Sequence, residues 1–388
     1  MYNWKMENKK TILIFSTAYL PLVGGAELAV KEITDRLPEY DFCLVTARLR
    51  RDLPKQEKIG QVEVFRLGLG LWLDKIILAF WGGFWASKRF KNRRIDTVWG
   101  IMASFGGLAA LAYKRHTGTP FLLTLQEGDD LVEVEKKARI LGRRFRAMFR
   151  EADFIQAIST YLKDWARRMG ATCPIVVVPN GSKCDPNIRI QVSDTNKNNH
   201  NNLKPILIIT TSRLVKKNAV DDLIKALSFL ADNFKLKVVG AGPDEQKLRN
   251  LIHDLRLEER VEFAGLVTPE KIFAHLAGAD IFVRPSLSEG LGNSFLEAMA
   301  VGLPTIGTPV GGIPDFLVDN ETGWFCEPRN PQSIAEKIKF IVAPVNHELV
   351  NQVVEKARQL VVEKYNWDKI AEQVGEILGK PSYKVKSE

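Results

Sequence analysis

Short apolar runs and amphipathic stretches of helical period take turns along almost the whole chain. Thr11 to Thr17, Asp41 to Thr46 and Ile59 to Leu67 read as strands, with Glu27 to Leu37 a helix between the first two. Phe121 to Leu125 reads as a further strand, and Thr160 to Gly170 as a helix leading to a strand at Ile175 to Val178. The pattern then lapses. Asp185 to Lys204 is polar, rich in Asn and without an aromatic residue, the composition expected of a mobile connection. Beyond it the strands Pro205 to Thr210, Leu236 to Gly240, Val261 to Ala264 and Ala279 to Val283 are predicted, then a helix over Ser294 to Val301. Strands alternating with helices predict parallel α/β sheets, one on each side of the linker. Ligands of such sheets lie at the carboxyl ends of the strands, so the loops there are where chemistry is expected.

Composition adds one asymmetry. The 388 residues are 45% hydrophobic and 26% charged, as in a soluble globular protein with room for two cores. The net charge of +9 is unevenly shared: residues 1–183 hold 30 Lys and Arg against 19 Asp and Glu, the remainder 25 against 27. The basic half is expected to face something anionic, such as a membrane surface or a lipid phosphate. Nucleic acid is not an expected partner, because no RNA- or DNA-binding motif accompanies the charge. Two segments concentrate it. Leu67 to Arg94 holds three tryptophans and then a basic run; its uninterrupted apolar part, Ile76 to Ala86, is too short to span a bilayer and reads either as interfacial or as a buried helix. Lys136 to Arg150 would, as one helix, set Ile140, Leu141, Phe145, Met148 and Phe149 on one face and Arg and Lys on the other.

Cys43, Cys173, Cys184 and Cys326 form no CxxC, and the five histidines no HExxH, so neither a metal site nor a disulfide framework is expected. Free thiols fit a reducing cytoplasm, with a peripheral place at the inner face of the membrane suggested by the basic segments. Lys9-Lys10 and the apolar run after it read as the approach to a first buried strand rather than as a cleaved signal.

The densest chemistry lies in Arg284-Pro-Ser-Leu-Ser-Glu289-Gly-Leu291-Gly292-Asn293-Ser294-Phe-Leu-Glu297. One glutamate precedes a Gly-rich loop and the other lies inside the helix that follows. A carboxylate fits sugar or ribose hydroxyls, and the free amides of a helix start fit phosphate. Ser294-x-x-Glu297 also matches a capping box, in which the glutamate serves only the helix start. Pro21-x-x-Gly24-Gly25-x-Glu27 lets backbone approach a ligand, or is a plain turn. Arg213 to Asn218 sets cations before a helix beginning near Val220, suited to a diphosphate. Gly240-Ala-Gly242-Pro243 lacks the third glycine of a dinucleotide fingerprint and argues against a dehydrogenase; Pro243 is expected to open a helix.

Glu289-x7-Glu297 in this strand–loop–helix setting resembles the glutamate pair of the retaining family-4 glycosyltransferases. The resemblance extends to Pro-x-x-Gly24-Gly25-x-Glu27, to Pro179-Asn180-Gly181, and to Arg213 with a following lysine. It implies the GT-B fold: α/β, two Rossmann-like domains with an interdomain cleft. The divisions are then an acceptor-binding domain at 1–184, a linker at 185–204, a nucleotide-sugar domain at 205–365, and a C-terminal helix within 366–388 crossing back to the first domain. It implies transfer of a sugar from a UDP- or GDP-sugar, with retention, to a glycan or lipid-linked acceptor, with no cofactor and no metal. Glu289, Arg213 and Lys217 would be the catalytic set. Gly24, Gly25, Val267, Leu291, Gly292, Asn293, Ser294 and Glu297 would contact the donor, Val267 through its backbone to the base. Gln126, Glu127 and Asp129 would lie on the acceptor side. The chain departs from the family at two places. Gln126 stands where a histidine is common, and the usual phosphate lysine, five residues after Arg213, is Asn218, with Ala219 in place of a glycine; Lys217 falls one place early. An inactive sugar-nucleotide-binding protein is the other reading of that displacement.

Overall fold

The computed structural model describes residues 9–22, 24–182 and 205–380, which fall into two compact units. The first comprises residues up to 127, then 131–180, and residues from 367 onward; the second takes in 128–130 and 181–366. The expected linker at 185–204 lies outside the described residues.

The first unit is built on an eight-stranded sheet. In chain order its strands are β1 (Lys10–Phe15), β2 (Tyr40–Ala47), β3 (Gln56–Ile59), β4 (Val62–Leu67), β5 (Thr97–Ile101), β6 (Phe121–Leu125), β7 (Phe154–Ala157) and β8 (Ile175–Val177). They lie in the order β3-β4-β2-β1-β5-β6-β7-β8, all parallel except β3 against β4. The run after Lys9-Lys10 is thus a central strand, Ile12 to Phe15 fully buried between β2 and β5. The stretch Ile59 to Leu67, read as one strand, is a hairpin. Gly60 turns with φ +58 between β3 and β4.

Helices α1 (Gly25–Asp35), α2 (Asp74–Arg89), α3 (Phe105–Thr117), α4 (Leu131–Ala138), α5 (Arg143–Arg150) and α6 (Thr160–Arg168) cover that sheet. The basic stretch at 136–150 is not one helix. Gly142, at φ 53 and ψ −127, separates α4 and a 3-10 turn from α5. Phe145, Met148 and Phe149 are buried as expected of α5, but Ile140 on the turn is 94% exposed, so the single apolar face does not exist.

The second unit has β9 (Ile206–Thr211), α7 (Val220–Ala226), β10 (Phe234–Val239), α8 (Glu245–Asp254), β11 (Val261–Gly265), α9 (Pro269–Ala277), β12 (Ile281–Arg284), α10 (Asn293–Ala300), β13 (Thr305–Gly307), β14 (Trp324–Phe325), α11 (Pro331–Val342) and α12 (His347–Lys364). Its six strands are all parallel, in the order β11-β10-β9-β12-β13-β14. Counted within the unit that is third, second, first, fourth, fifth, sixth, the order of a dinucleotide fold, with its switch point between β9 and β12. Leu236, Val238, Ile281, Val283 and Ile306 fill its core. Pro243 does not open a helix: it sits in a turn and α8 begins at Glu245. Gly242 is there for packing, since a Cβ on it would meet the Leu214 backbone at 2.3 Å.

The last described helix, α13 (Trp367–Gly379), belongs to the first unit. Trp367, Ile370, Val374 and Leu378 join that unit's core, and the Tyr40 hydroxyl donates to the Gly375 carbonyl at 2.9 Å.

Candidate functional site

At the switch point of the second sheet, Ile208 and Ile209 of β9 pair with Ile281 and Phe282 of β12. The loops leaving these two neighbours carry the two richest motifs of the sequence. After β9 comes Arg213; after β12 come Glu289 and Gly292. Sheet pairing therefore brings together residues far apart in the chain.

A side chain assigned no role from the sequence ties the loops. Arg284, the last residue of β12, donates from Nη1 to Ser294 Oγ at 2.6 Å and from Nη2 to Asn218 Oδ1 at 3.1 Å. Its Nη2 also pairs with Glu289 Oε1, and its guanidinium sits 5.9 Å from the Phe295 ring centre. Asn218 donates in turn to the Arg213 carbonyl at 2.6 Å. Ser286 Oγ donates a second hydrogen bond to Glu289 Oε1 at 3.2 Å. One hydrogen-bonded chain thus runs from the Arg213 backbone through Asn218 and Arg284 to Glu289 and Ser294. Glu289 is 6% exposed, so this pair is buried. Oε1 is occupied, which leaves Oε2 to accept from a hydroxyl.

Glycines shape the same loop. Gly292 is the cap of α10 at φ 99, a conformation that glycine takes without strain, and a Cβ there would meet the Phe295 ring at 2.8 Å. Gly311 packs so closely that a Cβ would lie 1.9 Å from the Glu289 carbonyl, and the Gly312 amide donates to that carbonyl at 3.1 Å. The pair Gly311-Gly312 therefore backs the loop, a role the sequence reading did not give it.

The capping-box reading fails. The helix starts at Asn293 behind Gly292, which places Ser294 inside its first turn as an acceptor for Arg284 rather than as the cap. The first amides of α10 keep no intrahelical acceptor and are available to an anion. Glu297, one turn on, is partly covered. Burial pushes its carboxyl up to about 7, with Arg284 pulling the other way. Leu291 is buried beneath the loop.

Arg213 is exposed, and among the described residues no carboxylate pairs with it. Lys217, on the 3-10 turn Lys216–Asn218, donates to the Gly128 carbonyl at 2.6 Å and lies 3.1 Å from Asp129 Oδ1. The position that normally bears the lysine is buried here and held by Asn218. Ala219 takes the left-handed conformation, φ 48, that a glycine would take more easily. Val267 lies in the loop after β11, beside the exposed Leu266.

In the first unit, Gly24 and Gly25 open α1, but the anion position at that helix start is already used. The Glu27 carboxylate, raised in pKa by burial, accepts from the Gly24 and Glu27 amides. Gln126 is buried at the end of β6 and its Oε1 accepts from Asn180 Nδ2 at 3.2 Å. Glu127, expected on the acceptor side, is 4% exposed and its Oε1 accepts from the Ala103 amide at 2.5 Å. It braces the loop between β5 and α3. Asp129 remains exposed. No group of three or more His, Cys, Asp or Glu is placed to share a metal ion among the described residues.

Two α/β units, one of them with dinucleotide strand order and a glutamate–glycine loop at its switch point, define the GT-B class of fold. Solved structures agree: Anabaena HepE in complex with UDP and glucose superposes with a TM-score of 0.74 over 96% of this chain and 99% of that one, at 19% identity. The model of glycosyl transferases group 1 matches residues 192–360, and that of glycosyltransferase family 4 matches 23–185, so that between them they take in most of the chain. The chain belongs to the group 1 glycosyltransferases of the family 4 type. WcaL of Salmonella typhimurium, whose name assigns it to colanic acid biosynthesis, is 28% identical over 251 residues, spanning 60% of this chain and only 58% of the relative's length. A GDP-mannose-dependent phosphatidylinositol monomannoside mannosyltransferase of Mycobacterium tuberculosis is 28% identical over 305 residues, 73% of this chain and 76% of that one.

Proposed function

We propose that the protein moves a sugar from a nucleotide-diphosphate donor to a hydroxyl of a glycan or lipid-linked acceptor, retaining the anomeric configuration and using no metal ion. The observation that carries this reading is the Arg284–Asn218 bridge. It fixes the Arg213 loop and the Glu289 loop side by side at the switch point, with the amides of α10 between the two glutamates. A relative named for GDP-mannose and a fold neighbour holding UDP and glucose support a nucleotide-sugar donor.

Breaking the bond between sugar and phosphate leaves growing negative charge on a diphosphate. Arg213 and the first amides of α10 stabilise that charge, the amides as fixed dipoles and Arg213 as a cation. Lys217 contributes by exchanging Gly128 and Asp129 for phosphate oxygens. Glu289 Oε2 accepts from the donor sugar's hydroxyls, and Glu297 from the ribose.

A panel of UDP- and GDP-sugars with chelator present tests the reading, with product anomers assigned by NMR. One donor class is expected to be turned over with retention. Arg213→Ala and Glu289→Gln are each expected to lower kcat/KM by about a hundredfold or more while the protein stays folded. Glutamine is the informative change at 289, because removing the side chain would strand Arg284. Full activity in both variants, or a strict need for divalent metal, overturns the assignment.

A further inference from the structure

Helix α2 is built the wrong way round for a solvated surface helix. Apart from Leu78 its inner face is small: Gly83 lies so near α3 that a Cβ would meet the Ala109 carbonyl and the Tyr113 amide at 2.6 Å each. Its outer face is large. Ile76, Ile77, Phe80, Trp81 and Phe84, at helical spacing, are all exposed, Trp81 by 64%. The preceding loop extends the same surface through Leu69 and Trp72, exposed by 67% and 66%. A contiguous aromatic and aliphatic face of this kind marks an interaction site.

The charges around it are of one sign. Lys75 lies 4.8 Å from the Trp72 ring, Lys88 4.4 Å from Phe84, and Arg144 of α5 reaches over Phe80 at 5.5 Å. Among the described residues none of the three is paired with a carboxylate. The one acid between Leu69 and Arg89, Asp74, is turned inward, accepting from the Gly70 and Leu71 amides. No helix among the described residues is long and apolar enough to cross a membrane.

We infer that α2 and its leading loop lie in the interface of an anionic lipid bilayer, with Trp72, Phe80, Trp81 and Phe84 inserted among acyl chains and Lys75, Lys88 and Arg144 at the headgroup phosphates. The occupant follows from the rim. Tryptophan and phenylalanine flanked by lysine and arginine suit the boundary between hydrocarbon and headgroups. A second copy meeting this face about a two-fold axis would set the same unpaired cations against one another, at a cost in like-charge repulsion. Lysine is also depleted from protein interfaces. The two basic segments of the sequence become one surface, since Arg144 of the second sits on an aromatic ring of the first.

The test is co-sedimentation of the full chain with vesicles of phosphatidylcholine alone, or of phosphatidylcholine and phosphatidylglycerol in equal parts, together with tryptophan quenching by brominated lipid. The wild type is expected to bind the anionic vesicles about tenfold or more tightly than the neutral ones. Trp72→Ser/Trp81→Ser is expected to abolish quenching and most binding, with an unchanged circular dichroism spectrum and melting midpoint, since both residues are exposed. Lys88→Ala and Arg144→Ala are each expected to weaken anionic binding about fivefold. Three results overturn the inference: no sedimentation with either vesicle, equal binding by the tryptophan variant, or a dimer in solution that this variant turns into a monomer without vesicle binding.

Discussion

At the scale of single residues, the pair Arg284–Glu289 decides how the site is held. Both side chains are nearly buried, at 11% and 8% exposure, so neither charge is stable there without a polar partner. Arg284→Met is expected to destabilise the protein by about 3 to 5 kcal/mol by stranding Glu289, whereas Arg284→Met with Glu289→Gln costs clearly less. Urea titrations of the two variants measure this; equal losses would mean the pair is not coupled. Glu297 adds a pH dependence. Its folded carboxyl titrates near 7 against an ordinary 4.5, so between those values the folded chain binds more protons than the unfolded one. Stability from this group therefore falls as pH rises through that window, and Glu297→Gln removes about 2 kcal/mol of that fall between about pH 5 and pH 8. In the ribose-binding role proposed for Glu297 the ionised form is the acceptor, so nucleotide affinity is expected to rise with pH toward about 8 in the wild type and to stay flat in Glu297→Gln. Residue type and spacing made Arg213, Glu289 and Glu297 candidates. Arg284 and Asn218 escaped because their partners are set by which strands are neighbours, and that is not written in either residue's surroundings. The glycine pair at 311 and 312 was visible, but its closeness to the Glu289 carbonyl is a tertiary fact.

At the scale of elements, hydrophobic period located most strands to within a few residues and misjudged the helical stretch at 136–150. The 136–150 segment counts as amphipathic only if Gly142 is helical, and its left-handed φ breaks the count. The hydrophobic period of α2 marks an apolar helix but not which of its sides is covered. What decides this is size: glycine and alanine, with Leu78, line the buried side, and the other large side chains lie outside. Gly83→Ala is accordingly expected to lower thermal stability by about 1 to 2 kcal/mol even though alanine gains roughly 1 kcal/mol in helix propensity. A neutral or stabilising Gly83→Ala would contradict the close α2–α3 contact.

At the scale of the molecule, the alternation of strand and helix was enough to expect two parallel sheets, and both exist. Strand order was not legible, because short parallel strands of similar composition carry no label for their neighbours. That order matters most here, since the switch point between β9 and β12 is what makes one site of Arg213, Asn218, Arg284 and the glutamate loop. The central claim is that this switch point holds the diphosphate of a nucleotide sugar by Arg213 and helix amides. Calorimetric titration of the full chain with UDP and with GDP, chelator present, addresses it most directly. The account predicts saturable binding of at least one of the two, weakened about tenfold or more by Arg213→Ala at an unchanged melting midpoint. Binding of neither nucleotide, or equal binding by Arg213→Ala, would contradict it.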